Sequence, residues 1–82
     1  MPTVERLGGF RVVIYTNDHR PEHVHVIGDA REAVFVLHCP KGPPALRENY
    51  GLSRLEVRRI ATALATRLAQ LCAEWSRIHG NA

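Results

Sequence analysis

Residues 53–79, SRLEVRRIATALATRLAQLCAEWSRIH, decide how the rest of the chain is read. Ser53 is a good N-cap, and Glu56 stands three positions later. The serine oxygen can accept from the Glu56 amide while the Glu56 carboxylate reaches back to the Ser53 amide. Leu52, just before the cap, is placed to pack on Val57. Val57, Ile60, Ala61, Leu64, Leu68, Leu71, Trp75 and Ile78 recur at three- and four-residue steps, which on a helix is one apolar stripe of roughly 100°. Arg58, Arg59, Thr62, Thr66, Gln70 and Arg77 fall off that stripe. Gly80 is placed to stop the helix, and Arg77 and His79 suit the negative end of its dipole. The spacing predicts one helix over 53–79.

Upstream the pattern changes to period two. Thr3 to Leu7, Phe10 to Thr16, His23 to Ile27 and Glu32 to Leu37 are short runs rich in β-branched and aromatic residues. Gly8-Gly9 between the first two is a hairpin signal, able to supply the two positive φ angles of a type I′ turn. Asn17 to Glu22 is a polar loop containing Pro21, and Gly28 to Arg31 is a turn. Cys39-Pro40-Lys41-Gly42-Pro43-Pro44 neither continues a strand ladder nor enters a helix. Ala45 to Tyr50 reads as a loose turn. The expected architecture is one α+β domain over 1–82. It comprises an antiparallel meander of three to four strands (3–38), a Pro/Gly-rich linker (39–52) and a long C-terminal helix (53–79) on one sheet face.

These lengths do not match. The helix would run about 40 Å, whereas strands of five to seven residues span about 20 Å. No Pro or Gly between Ser53 and His79 provides a kink. The distal side chains Leu68, Leu71, Trp75 and Ile78 are therefore expected to form an interface, with a second copy of the chain as a homodimer or with a small partner protein.

Composition narrows the class. A chain of 82 residues has room for one domain, and 45% hydrophobic with 23% charged residues argues against wholesale disorder. No apolar run is long enough to span a membrane, and the N-terminus has no signal-peptide core. A net charge of +3 permits nucleic-acid contact without demanding it. Cys39 and Cys72 make no disulfide framework or zinc ribbon, and read as reduced, inert packing residues of a cytoplasmic protein.

Chemistry concentrates in one stretch, Asn17-Asp18-His19-Arg20-Pro21-Glu22-His23-Val24-His25. On a strand His23 and His25 share a face. In one reading, His19, His23 and His25 hold a divalent metal such as zinc, with Asp18 as a further ligand or behind one. In a second, His23 and His25 are the acid and base of a small ribonuclease and Arg20 holds the phosphate. In a third, Asn17 and Asp18 only shape the turn, Pro21 stiffens it, and the histidines are a solvent face. Arg54, Arg58 and Arg59, with Arg47 and Lys41 upstream, crowd the first half of the helix, where cations oppose the dipole; they read as phosphate contacts or as a solvated face. No P-loop, nucleophile elbow or paired-carboxylate motif is present.

The opening Met1-Pro2-Thr3-Val4, the Gly8-Gly9 turn, the run Tyr15 to Val26 with its Asn-Asp-His, Pro and His-Val-His-Val, and Asn49-Tyr50-Gly51-Leu52-Ser53 together resemble the small bacterial domain of unknown function family DUF4160. The resemblance spans nearly the whole chain. It departs at Glu22, where the family commonly has a second proline, and in the proline-rich 39–44. It implies a bacterial, cytoplasmic setting and a partner from the neighbouring gene in a toxin–antitoxin-type pair acting through protein–protein contacts. It implies no reaction and no cofactor.

Overall fold

The computed structural model describes residues 3–80; Met1 and Pro2 of the opening motif lie outside them. Five strands, β1 (Thr3–Leu7), β2 (Phe10–Val13), β3 (His23–Gly28), β4 (Arg31–Val36) and β5 (Ala45–Tyr50), form one antiparallel sheet in sequence order. Two helices follow, α1 (Arg54–Thr66) and α2 (Leu68–His79). The α+β class and the antiparallel meander are as expected; the strand number and the single helix are not.

Period two places the core. Val12 pairs with Val26, Val26 with Ala33, and Val24 with Phe35, so these side chains share one sheet face. They join Ile14, Leu37, Leu52, Ile60, Leu64, Leu68, Leu71 and Trp75 in one buried cluster. The alternate residues Val13, His25 and Val34 form a cross-strand row on the other face. At the β1–β2 turn only Gly8 takes a positive φ (+59°), the pattern of a type II′ turn rather than I′. Gly28 is required by proximity: a Cβ there would lie 2.5 Å from the Phe10 ring.

The fifth strand lies inside the stretch read as a linker. β5 pairs with β4 from Glu32↔Tyr50 to Val36↔Ala45, with an irregularity between Val34 and Phe35. It is an edge strand with no buried face. Leu46 and Tyr50 are exposed, and the sequence ALRENY has no apolar alternation for a period-two reading to detect. The motif Asn49 to Ser53 then joins the strand to the helix. The Asn49 side chain accepts from the Leu52 amide and donates to the Leu52 carbonyl, both at 3.0 Å, around Gly51 at φ +95°. The expected capping box is present: Glu56 N–H donates to Ser53 Oγ at 3.1 Å, and Ser53 N–H to Glu56 Oε1 at 2.9 Å.

The predicted single helix breaks at Arg67 (φ −113°, ψ 13°). A continuous helix would send the Arg67 amide to the Ala63 carbonyl. Instead Thr66 Oγ1 donates to that carbonyl at 2.8 Å and Arg67 Nη1 at 3.1 Å, while the Arg67 amide bonds Leu64. Competition for a helix carbonyl by a threonine hydroxyl is a recognised source of bending. Arg67 Nε also donates to Glu5 on β1 at 3.0 Å, which fixes the break against the sheet.

The break overturns the interface expectation. Leu68, Leu71 and Trp75 are buried within the single chain, and Ile78 packs against the same cluster. The apolar stripe is covered by its own sheet, which the fifth strand widens. A straight rod of about 40 Å would exceed the molecule's longest extent of 35 Å. The cysteines are likewise corrected: Cys39 and Cys72 are joined as a disulfide across 33 residues, tying the proline-rich segment to α2. A loop of that size is worth about 3–4 kcal/mol in the chain-entropy account. The reduced-thiol argument for the cytoplasm therefore no longer stands. Among the described residues no helix is long and apolar enough to cross a membrane.

Truncating Leu71 to Ala is expected to lower stability by about 2–5 kcal/mol. The urea midpoints of both proteins should not vary with protein concentration; a concentration-dependent midpoint would return Leu71 to an interface. The Ser53 amide, and then Arg31 on β4, which bonds Glu56 Oε2, hold the Glu56 carboxyl below its ordinary value of 4.5. A lowered folded value means stabilisation that is complete above pH 4.5 and fades as pH falls through the folded value. Thermal midpoints of wild type and Glu56→Gln should thus differ at neutral pH and converge in acid.

Candidate functional site

The segment between β2 and β3 is shaped by a reciprocal turn. The Asp18 amide donates to the Tyr15 carbonyl at 3.1 Å, and the Tyr15 amide donates to Asp18 Oδ2 at 3.1 Å. That occupies one carboxylate oxygen and aims the other, Oδ1, at β3. There the two-residue repeat puts His23 and His25 on one face. Asp18 Oδ1 lies 3.5 Å from His23 Nε2 and 3.3 Å from His25 Nε2. One ligand-type atom from each of the three residues falls within 4.8 Å of the others. The side chains are only 11%, 9% and 17% exposed for Asp18, His23 and His25.

The outer partners decide what the inner nitrogens offer. His23 Nδ1 stands 2.8 Å from the Pro21 carbonyl. A carbonyl only accepts, so Nδ1 carries the hydrogen and the neutral ring presents a bare lone pair at Nε2. That lone pair faces a carboxylate oxygen: acceptor against acceptor. His25 Nδ1 is buried and makes no hydrogen bond among the described residues, with Glu32 Oε2 at 3.4 Å. The His25 ring therefore lies between two carboxylates. Two imidazoles and two carboxylates converge here, and His25 Nε2 lies within hydrogen-bond reach of Asp18 Oδ1.

Aromatic rings wall this cluster. The Tyr15 ring meets His25 edge-on at 4.6 Å, and the two histidine rings lie 5.3 Å apart. Trp75 from α2 stands 6.5 Å from His23, with His79 stacked on it at 3.7 Å. Trp75 Nε1 and His79 Nε2 are also buried without a hydrogen-bond partner among the described residues. Unsatisfied buried polar atoms are rare in folded proteins, and those seen here follow one continuous line of rings.

The residues singled out in the sequence divide. Asp18, His23 and His25 come together, and Pro21 supplies the carbonyl that orients His23. His19 and Asn17 are exposed, and His19 stands outside the cluster. Arg20 pairs with Glu22 and lies over the Trp75 ring, 5.2 Å from its centre. Glu32 was not anticipated. Its signal was nonetheless present: a Gly28-to-Arg31 turn pairs Ile27 with Glu32 and His25 with Val34, making Glu32 a diagonal same-face neighbour of His25. Tyr15 and Trp75 carried no such signal, since neither is placed by the register of the β3–β4 hairpin.

The sequence profile of the domain of unknown function family DUF4160 matches residues 9–76. This chain belongs to the DUF4160 family. The match takes in every residue of the histidine cluster, the Asn49 turn and the helix break. Neither the curated proteins nor the solved structures contain a match to this DUF4160 chain. The family's description assigns no activity, so the chemistry of the DUF4160 site has to be argued from its atoms.

Proposed function

We propose that the protein binds one divalent metal ion of the zinc class through Asp18 Oδ1, His23 Nε2 and His25 Nε2. The observation that carries this reading is the spacing of those atoms. Ligands about 2.0–2.1 Å from a tetrahedral ion sit about 3.3–3.4 Å from each other. Asp18 Oδ1 is 3.3 and 3.5 Å from the two imidazole nitrogens. Those separations are long for N–H···O hydrogen bonds and suit ligands around one ion. The cation also resolves the acceptor-against-acceptor contact at His23. Pro21 and Glu32 act behind the ligands, the first setting the His23 tautomer and the second facing His25 Nδ1.

Imidazole with carboxylate favours zinc or ferrous iron over the hard cations, and at equal availability zinc binds more tightly than ferrous iron. Three protein ligands leave at least one coordination position open, the arrangement of catalytic rather than structural centres. Such an ion would supply Lewis-acid activation of a bound water. In this reading His23 and His25 are ligands and not the acid and base of a metal-free ribonuclease.

Untagged protein stripped with a chelator and titrated with zinc chloride should take up one equivalent. The thermal midpoint should rise, corresponding to about 2.7 kcal/mol at free zinc one hundred times the dissociation constant. His23→Ala and His25→Ala should abolish both effects, and Glu32→Gln should weaken binding by about 10–100-fold. Absence of uptake by calorimetry and elemental analysis, or equal uptake by the histidine variants, would sink the proposal.

A further inference from the structure

Two routes lead from the Cys39–Cys72 disulfide to the loop that carries the histidine cluster. On α2, Cys72 stands one helical turn before Trp75. The Trp75 ring lies 6.5 Å from that of His23 and under the Arg20 guanidinium. On the other side, Cys39 follows the end of β4, where the Leu37 amide donates to the Glu22 carbonyl at 2.9 Å. Arg20 and Glu22 flank Pro21, whose carbonyl orients His23. We propose that the Cys39–Cys72 pair is a redox site, and that its reduction by a dithiol releases the end of α2 and opens the Trp75 wall of the histidine cluster. As a control on zinc affinity, this rests on the metal-binding reading above.

The end of α2 has few other holds. The start of the helix is fixed by Arg67 to Glu5 and by buried Leu68 and Leu71. Beyond Leu71 only Trp75 is buried, with Ile78 partly so. Docking also carries a cost, because Trp75 Nε1 and His79 Nε2 are buried without a hydrogen-bond partner among the described residues. Undocking returns both atoms to water. The disulfide opposes that release, pinning α2 to the proline-rich segment, where a Cβ on Gly42 would lie 2.8 Å from Leu68 Cδ2. Cys39 and Cys72 are both partly exposed, so a reductant reaches the bond. A thiolate of the dithiol attacks one sulfur to give a mixed disulfide, and its second thiol then closes the reductant's own disulfide. The protein S–S bond breaks, and two electrons and two protons pass from the reductant to form two cysteine thiols.

Trp75 is the chain's single tryptophan, so its fluorescence reads the end of α2 directly. Intact protein is reduced with dithiothreitol, freed of it by gel filtration under nitrogen, and compared with the oxidised protein. The Cys39→Ser/Cys72→Ser variant, which lacks the bond without adding thiols, is measured beside them. Reduction and the variant should both shift Trp75 emission to longer wavelength and open it to acrylamide quenching, with the circular-dichroism signal of the sheet kept. Zinc affinity by calorimetry should fall in the variant by about 10–100-fold, the size of the loss when a group behind the ligands is removed. Reoxidation should restore the emission of the wild-type protein. Failure of the oxidised protein to take up zinc sinks the metal reading alone, and Trp75 then decides the switch. The proposal is overturned if reduction leaves Trp75 emission and quenching unchanged, if it unfolds the sheet together with α2, or if a zinc-binding protein keeps its affinity without the bond.

Discussion

The carbonyl of Ala63 receives two donors, and neither is the amide that a continuous helix would send to it. Thr66 Oγ1 and Arg67 Nη1 take that acceptor, and the chain starts a new helix at Leu68. Much of the architecture depends on this substitution. It divides a rod longer than the molecule into two segments whose apolar faces meet the same sheet. It brings Leu71 and Trp75 into the buried cluster with Val24 and Phe35. It also sets the Trp75 ring beside His23, so the break is part of what encloses the histidine cluster. The ion pair from Arg67 to Glu5 holds the break to β1, and the disulfide from Cys39 to Cys72 ties α2 to the proline-rich segment that follows β4.

The parts of this arrangement that were legible in the sequence are those where one residue type has one strong local preference. Ser53 with Glu56 gave the helix start, Gly8-Gly9 gave the first hairpin, and the alternation His-Val-His-Val gave both the core face and the site face of β3. The parts that were not legible depend on tertiary partners. Thr66 is an ordinary helix residue until Arg67 is anchored by Glu5, sixty-two positions away. β5 has no buried face, so its strand character comes from the free edge of β4 and not from its own side chains. The disulfide required knowing that residues 39 and 72 approach, and their sequence spacing carries no such information. His19 failed for the opposite reason: proximity in sequence to two clustered histidines suggested a ligand, yet the turn that aims Asp18 inward leaves His19 exposed.

The histidine cluster is set by competition for hydrogens rather than by the number of histidines. Pro21 commits His23 to one tautomer, and Tyr15 commits one oxygen of Asp18. What remains is one ligand-type atom from each of Asp18, His23 and His25, gathered within 4.8 Å of one another in a largely water-excluded space. Buried acceptors left without donors lose their hydration and regain nothing. In the proposed reading one added proton would serve one nitrogen, whereas a single divalent ion would serve both nitrogens and the oxygen together.

Core and site are also one constraint, because β3 contributes to both. Val24 and Val26 are buried with the helices' apolar residues, and His23 and His25 alternate with them. A register slip of one residue would turn the imidazoles into the core and the valines into the site, so the energy of burying two valines also fixes the two histidines. The register has its own stop. Gly28, at the end of β3, leaves room for Phe10 where a side chain would collide, and Arg31 lies over that ring, 4.9 Å from its centre. The same Arg31 reaches Glu56 in the capping box of α1. Sheet register and helix start thereby meet at a single arginine and a single aromatic ring.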